Sequence, residues 1–129
     1  MVLVDTDVLV ECLRGSVAAK NWLESFPKEA FAIPGAVAME LIIGCRNQAE
    51  LQQIREFLGS FSLAWPNASE FAQAHELLVA HRLSSGIGIP DCLIAATALA
   101  RAARLYTFNL KHFQAVPGLD AQQPYPRQL

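Results

Sequence analysis

The chain has 129 residues, 53% of them apolar and 17% charged, with a formal charge of −2. That length suits one domain with a real hydrophobic core, and the composition excludes global disorder. The charge gives no bulk attraction to nucleic acid, and no apolar run reaches the length of a membrane span, so a soluble cytoplasmic protein is expected.

Val2-Leu3-Val4 is an apolar, β-branched run that reads as a buried strand. Asp5-Thr6-Asp7 follows at once, and residues 6–13 read as a short helix stopped by Gly15. Ser16 caps a second helix through Trp22 and Leu23 that ends before Pro27. Phe31-Ala32-Ile33 predicts a strand closed by Pro34-Gly35, and residues 36–45 an apolar helix whose one charged member is Glu40. A further helix, 48–58, shows Leu51, Ile54, Phe57 and Leu58 at helical spacing, and 61–65 a third strand.

Asn67 or Ser69 caps the next helix, which Ser84-Ser85-Gly86-Ile87-Gly88 breaks. Ile89-Pro90-Asp91 opens an Ala-rich helix through Arg104, followed by a strand at 105–107, a turn at 109–113 and a last strand near Ala115-Val116. Residues 122–129, with Pro124 and Pro126, predict a solvated tail or a partner-binding arm. Short strands alternating with helices argue for a three-layer α/β domain over residues 1–129 with a mainly parallel sheet. Cys12, Cys45 and Cys92 have no metal-binding spacing and read as reduced, packed thiols.

Asp5, Glu40 and Asp91 each stand in surroundings that would otherwise be core, and Asn109 follows a strand directly. Taken singly, each has a structural explanation: helix capping for Asp5, an N-terminal acid complementing the helix dipole for Asp91, a partly exposed helix for Glu40, a turn for Asn109. Taken together, they converge if the sheet is parallel, because the strand ends at Asp5 and Thr107 then open on one edge. Carboxylates gathered there repel one another, so that one raises its pKa or the set recruits a cation, and oxygen ligands without Cys or His partners suit Mg²⁺ or Mn²⁺ rather than zinc. Such an ion suits a phosphodiester substrate.

Four segments, 2–9, 38–44, 91–98 and 105–113, resemble the successive motifs of PIN-domain ribonucleases, most of all the VapC toxins of toxin–antitoxin pairs. The resemblance implies a PIN-like α/β/α fold and metal-dependent endonucleolytic cleavage of RNA. It implies that Asp5 and Asp91 ligate Mg²⁺ or Mn²⁺ and that Glu40 binds the metal or positions water. Asn109 would hydrogen-bond water or phosphate, with Thr107 orienting Asn109 or Asp5. It further implies a homodimer and a small VapB-type antitoxin that blocks the pocket, with DNA contacted only through that antitoxin. Two positions depart from the fuller pattern: Asn109 replaces a frequent Asp, and Asp7 a frequent Asn.

Arg14, Arg46, Arg82 and Lys111 are candidate RNA contacts on the rim, or ordinary solvated charges. His75 and His81 read as partly buried structural residues, and His112 as a packing or capping residue close to the chemistry. Two rival readings use the same residues. One is a haloacid-dehalogenase-like phosphatase with Asp5 as nucleophile, disfavoured by the lack of a later acidic pair. The other is a PIN-fold interaction protein with little catalysis.

Overall fold

A computed structural model describes residues 1–127. Five strands form one wholly parallel sheet in the order β3-β2-β1-β4-β5: β1 (Val2–Val4), β2 (Phe31–Pro34), β3 (Ser62–Ala64), β4 (Arg104–Tyr106) and β5 (Ala121–Gln122). The apolar first strand suits the central place, since a strand covered on both sides needs apolar residues on both faces. Leu3 and Val4 are essentially inaccessible to solvent.

The chain steps outward from β1 to β3 through α1 (Thr6–Leu13), α2 (Val17–Glu24), α3 (Gly35–Ile43) and α4 (Gln48–Leu58). It returns across the sheet through α5 (Ala68–Ser85) and α6 (Ile89–Ala100), and a single turn, α7 (Leu110–Phe113), leads toward β5. Right-handed crossovers put the outward helices on one face and the returning pair on the other. Register places Val2 opposite both Phe31 and Arg104, and Leu3 opposite Ala32 and Leu105. Alternation therefore gives Phe31, Val4 and Tyr106 one face, where α2 and the residues after it pack Trp22 and Phe26 against Phe31 and Tyr106 at ring separations of 5.0–6.0 Å. Helix α6 is built of Ala95, Ala96 and Ala98, all buried, so its backbone lies close to its neighbours.

Local chemistry sets most boundaries. Asp5, Ser16, Asn47 and Asn67 cap α1, α2, α4 and α5 with side-chain oxygens, and Asn67 forms a full capping box with Glu70. Gly86, at φ 75°, ends α5 in the left-handed conformation that glycine adopts without steric cost.

Two expected boundaries move. The last long helix stops at Ala100 rather than Arg104, because Ala102 turns left-handed (φ 49°) and the Ala103 N–H bonds back to the Ala98 carbonyl. That turn frees Arg104–Tyr106 to pair with β1. The final strand is Ala121–Gln122, not Ala115-Val116; Val116 is buried in the turn after α7, its N–H bonded to Phe113 O. Residues 122–127 fold back on the domain instead of standing off in solvent, and the last two residues of the expected tail lie outside the described residues. Among the described residues no helix is long and apolar enough to cross a membrane.

Candidate active site

Because β1 and β4 are parallel neighbours, the residues that follow them emerge at one edge. Asp5 leaves β1 with its N–H still bonded to Tyr106 O at 2.9 Å, and Thr107 leaves β4 beside it. The two side chains meet there: Thr107 Oγ1 donates to Asp5 Oδ2 at 2.7 Å. The other oxygen, Oδ1, accepts the N–H of Thr6 at 2.8 Å as the cap of α1. Asp5 is therefore buried yet oriented at both oxygens. Burial pushes its pKa above the ordinary carboxylate value, the two hydrogen bonds oppose this, and the charge on Asp91 adds to the rise.

Glu40 arrives from α3 and accepts the Thr6 hydroxyl at 3.2 Å. Its pKa is also raised, first by burial and then by Asp5 and Asp91. Asp91, in the first turn of α6, lies 3.1 Å from His112 Nδ1, and that nitrogen is 2.9 Å from the Asn109 amide nitrogen. The imidazole either donates to Asp91 or accepts from Asn109, according to its tautomer. Asn109 is tied to the pocket by its backbone too, its N–H donating to Thr107 Oγ1 at 2.9 Å.

The four expected residues, Asp5, Glu40, Asp91 and Asn109, thus share one edge, and the three carboxylates act on each other electrostatically. His112 belongs with them; as one of three scattered histidines it has no spacing that links it to Asp91. Of the expected rim cations, Arg82 is turned onto its own helix end, donating to Gly86 O and Ile87 O. Arg14 and Arg46 line a groove of about 410 Å³ that begins at Thr6 and Glu40, although Arg46 is paired with Glu50 at 2.8 Å. Lys111 is exposed on α7. His75 is exposed rather than partly buried, its side chain 72% accessible.

Asp7, two residues on from Asp5, feels the Asp5 charge. Its Oδ2 accepts the Phe108 N–H at 3.1 Å, while Oδ1 is buried with no partner among the described residues. Burial, reinforced by Asp5, raises its pKa to about 6. A folded state that holds this proton up to about pH 6, against 3.8 for the free group, is penalised above pH 6. The penalty fades as the pH falls toward 3.8. Asp7→Asn should therefore stabilise the metal-free chain by about 1–2 kcal/mol at pH 7.5, allowing for solvent screening. The gain should vanish near pH 4; thermal melts in EDTA across that range measure it, and an equal gain at both ends would refute the charge argument.

The donor set suits a hard divalent cation in kind: two or three carboxylates, an amide and no thiolate. Among the described residues no three Asp, Glu, His or Cys side chains are gathered as a ready chelate. The mutual repulsion of Asp5, Glu40 and Asp91 is what such a cation would relieve.

Comparison with known proteins gives a consistent result. The family model described as PIN domain matches residues 2–119. Ribonuclease VapC10 of Mycobacterium tuberculosis is 37% identical over 114 residues, 88% of this chain and 86% of that one. A toxin–antitoxin complex from Klebsiella pneumoniae superposes with a TM-score of 0.75 at 30% identity, covering 97% of this chain and 98% of the other. VapBC2 from Rickettsia felis, solved bound to a DNA fragment from its promoter, superposes with a TM-score of 0.79 at 27% identity, covering 95% and 98%.

Proposed function

This chain belongs to the PIN-domain family, and on that premise we propose that it is an endoribonuclease, the toxin of a toxin–antitoxin pair. The observation that carries the reading is the convergence of Asp5, Glu40 and Asp91 on one sheet edge, each raised or restrained by a named neighbour. The ribonuclease name of a 37%-identical relative and the toxin–antitoxin titles of the superposed structures support it.

Asp5 and Asp91 would hold a Mg²⁺ or Mn²⁺ ion, with Glu40 as a third ligand or as the group that orients water. Bound there, the ion would neutralise phosphate charge and make water acidic enough to serve as a nucleophile. The chain's own part is positioning. Thr107 and the Thr6 N–H fix the plane of the Asp5 carboxylate, so its free lone pairs point in one direction. Glu40, with its affinity for a proton raised by burial, is suited to accept one from the attacking water. The Asn109 amide and the His112 ring stand beside Asp91, where they can donate to phosphate or to the departing oxygen.

A VapB-type antitoxin is the expected partner, with DNA reached only through it. A homodimer is supported by an apolar face on which Met39, Ile43, Trp65, Phe71 and Ile89 are all exposed.

The chain freed of any partner should cut total RNA into discrete fragments with Mg²⁺ or Mn²⁺ and leave it intact in EDTA. Intact RNA under every divalent ion tried would overturn the nuclease reading.

A further inference from the structure

The end of the described chain is bound to the back of the active site. At the end of β5 the Thr107 N–H donates to Gln122 O at 2.9 Å, so the segment that follows starts from the strand end that carries the site. Tyr125 then donates its hydroxyl to Glu11 Oε2 at 2.5 Å, and Arg127 Nε donates to Glu11 Oε1 at 2.8 Å. Glu11 lies on α1, in the helix that Asp5 caps. Both arm residues also close on Phe108: the Tyr125 ring lies 5.2 Å away, edge-on, and the Arg127 guanidinium 4.6 Å from the ring centre. The Phe108 N–H, in turn, is held by Asp7.

Phe108 sits between two residues that work in the pocket. On one side the Thr107 hydroxyl holds Asp5, and on the other the Asn109 N–H holds that same hydroxyl. We propose that Tyr125 and Arg127, docked on Glu11, are positioning residues for the nuclease reaction: by clamping Phe108 they fix Thr107 and Asn109, and through them the Asp5 carboxylate. This rests on the nuclease reading above. A hydroxyl that both donates to Asp5 and accepts from Asn109 has few orientations available. The backbone beneath it must therefore be still for the carboxylate to be still. The arm restrains the Phe108 ring with one aromatic edge, one cation over the ring and a carboxylate anchor that takes both arm donors.

The test uses the full chain and three variants. Arg127→Ala removes the cation and one anchor bond, Arg127→Lys restores a cation, and Tyr125→Phe removes only the hydroxyl and serves if the alanine variant fails to fold. With a synthetic RNA spanning a site cut by the parent, Arg127→Ala should lower kcat about tenfold, the scale seen when outer partners of metal ligands are lost. KM should stay within about twofold and the lysine variant should recover most of the rate. Independently of activity, hydrogen exchange of the metal-free chain should show the Phe108 and Asn109 amides opening about tenfold faster, with β1 amides unchanged. Unchanged exchange at those two amides overturns the clamp whatever the rates are, as does an alanine variant that matches a fully active parent. A parent that cuts no RNA with any divalent ion overturns the nuclease reading instead, and exchange at the two amides then decides the clamp by itself.

Discussion

Asp5→Asn should reduce RNA cleavage by roughly 10³-fold, about 4 kcal/mol of barrier, in a chain that still folds. The amide keeps an oxygen for the Thr6 N–H, so the cap of α1 survives. It removes a buried negative charge whose burial the fold opposes, but sets an NH2 group against the Thr107 hydroxyl in place of an acceptor, so the two effects on stability oppose each other. What it loses is the charge that would bind the cation. Thr107→Val is the informative partner variant. It leaves the carboxylate in place but strips its 2.7 Å donor, and should cost about 1–3 kcal/mol of stability with a smaller loss of rate. Cleavage rates on one RNA, with melts of the same preparations, separate the two. An Asp5→Asn chain that retains more than about a tenth of the parent rate would place the chemistry elsewhere.

The largest effect on stability should come from Arg101→Ala, far from the chemistry. Glu70 is almost inaccessible, its side chain 3% exposed, and Arg101 meets it with two donors at 3.1 and 3.2 Å. A third donation, 2.8 Å to Trp65 O, ties the end of α6 to the loop before α5. Removing the guanidinium leaves a buried carboxylate with only the Asn67 N–H, a loss of about 3 kcal/mol. Arg101 is the main cause holding the Glu70 pKa below its usual 4.5. The folded pKa is depressed, so the contribution is full above the unfolded value and disappears as the pH falls through the folded one. Urea melts of parent and variant should therefore differ most near pH 7 and converge below pH 4.5. Glu70→Gln in the Arg101→Ala background should recover part of the loss; no recovery would mean the arginine acts through packing alone.

Much of this is legible in the chain because a charge in an apolar run is costly and therefore informative. Asp5, Glu40 and Asp91 stand out against Val, Ile, Leu and Ala, and the parallel sheet then puts them on one edge. Capping chemistry is equally legible at Asp5, Ser16 and Asn67. What stays hidden depends on distant contacts. Helix propensity does not mark the end of α6, since Leu99 to Ala103 are good helix formers and the stop comes from β4 pairing with β1. The two residues of β5 carry no strand pattern and exist as an edge because Leu105 and Thr107 offer donors to Asp120 and Gln122. His112 and the arm residues Tyr125 and Arg127 reach their partners across separations of 21, 114 and 116 residues, beyond any local periodicity.

The central position of β1 has a bearing on synthesis. Asp5 is made 102 residues before the hydroxyl that orients it. While the ribosome is still extending the chain toward β4, the nascent protein has its carboxylates but no assembled pocket. Until β4 has paired beside β1, Thr107 cannot reach Asp5, so the carboxylate made first waits longest to be oriented.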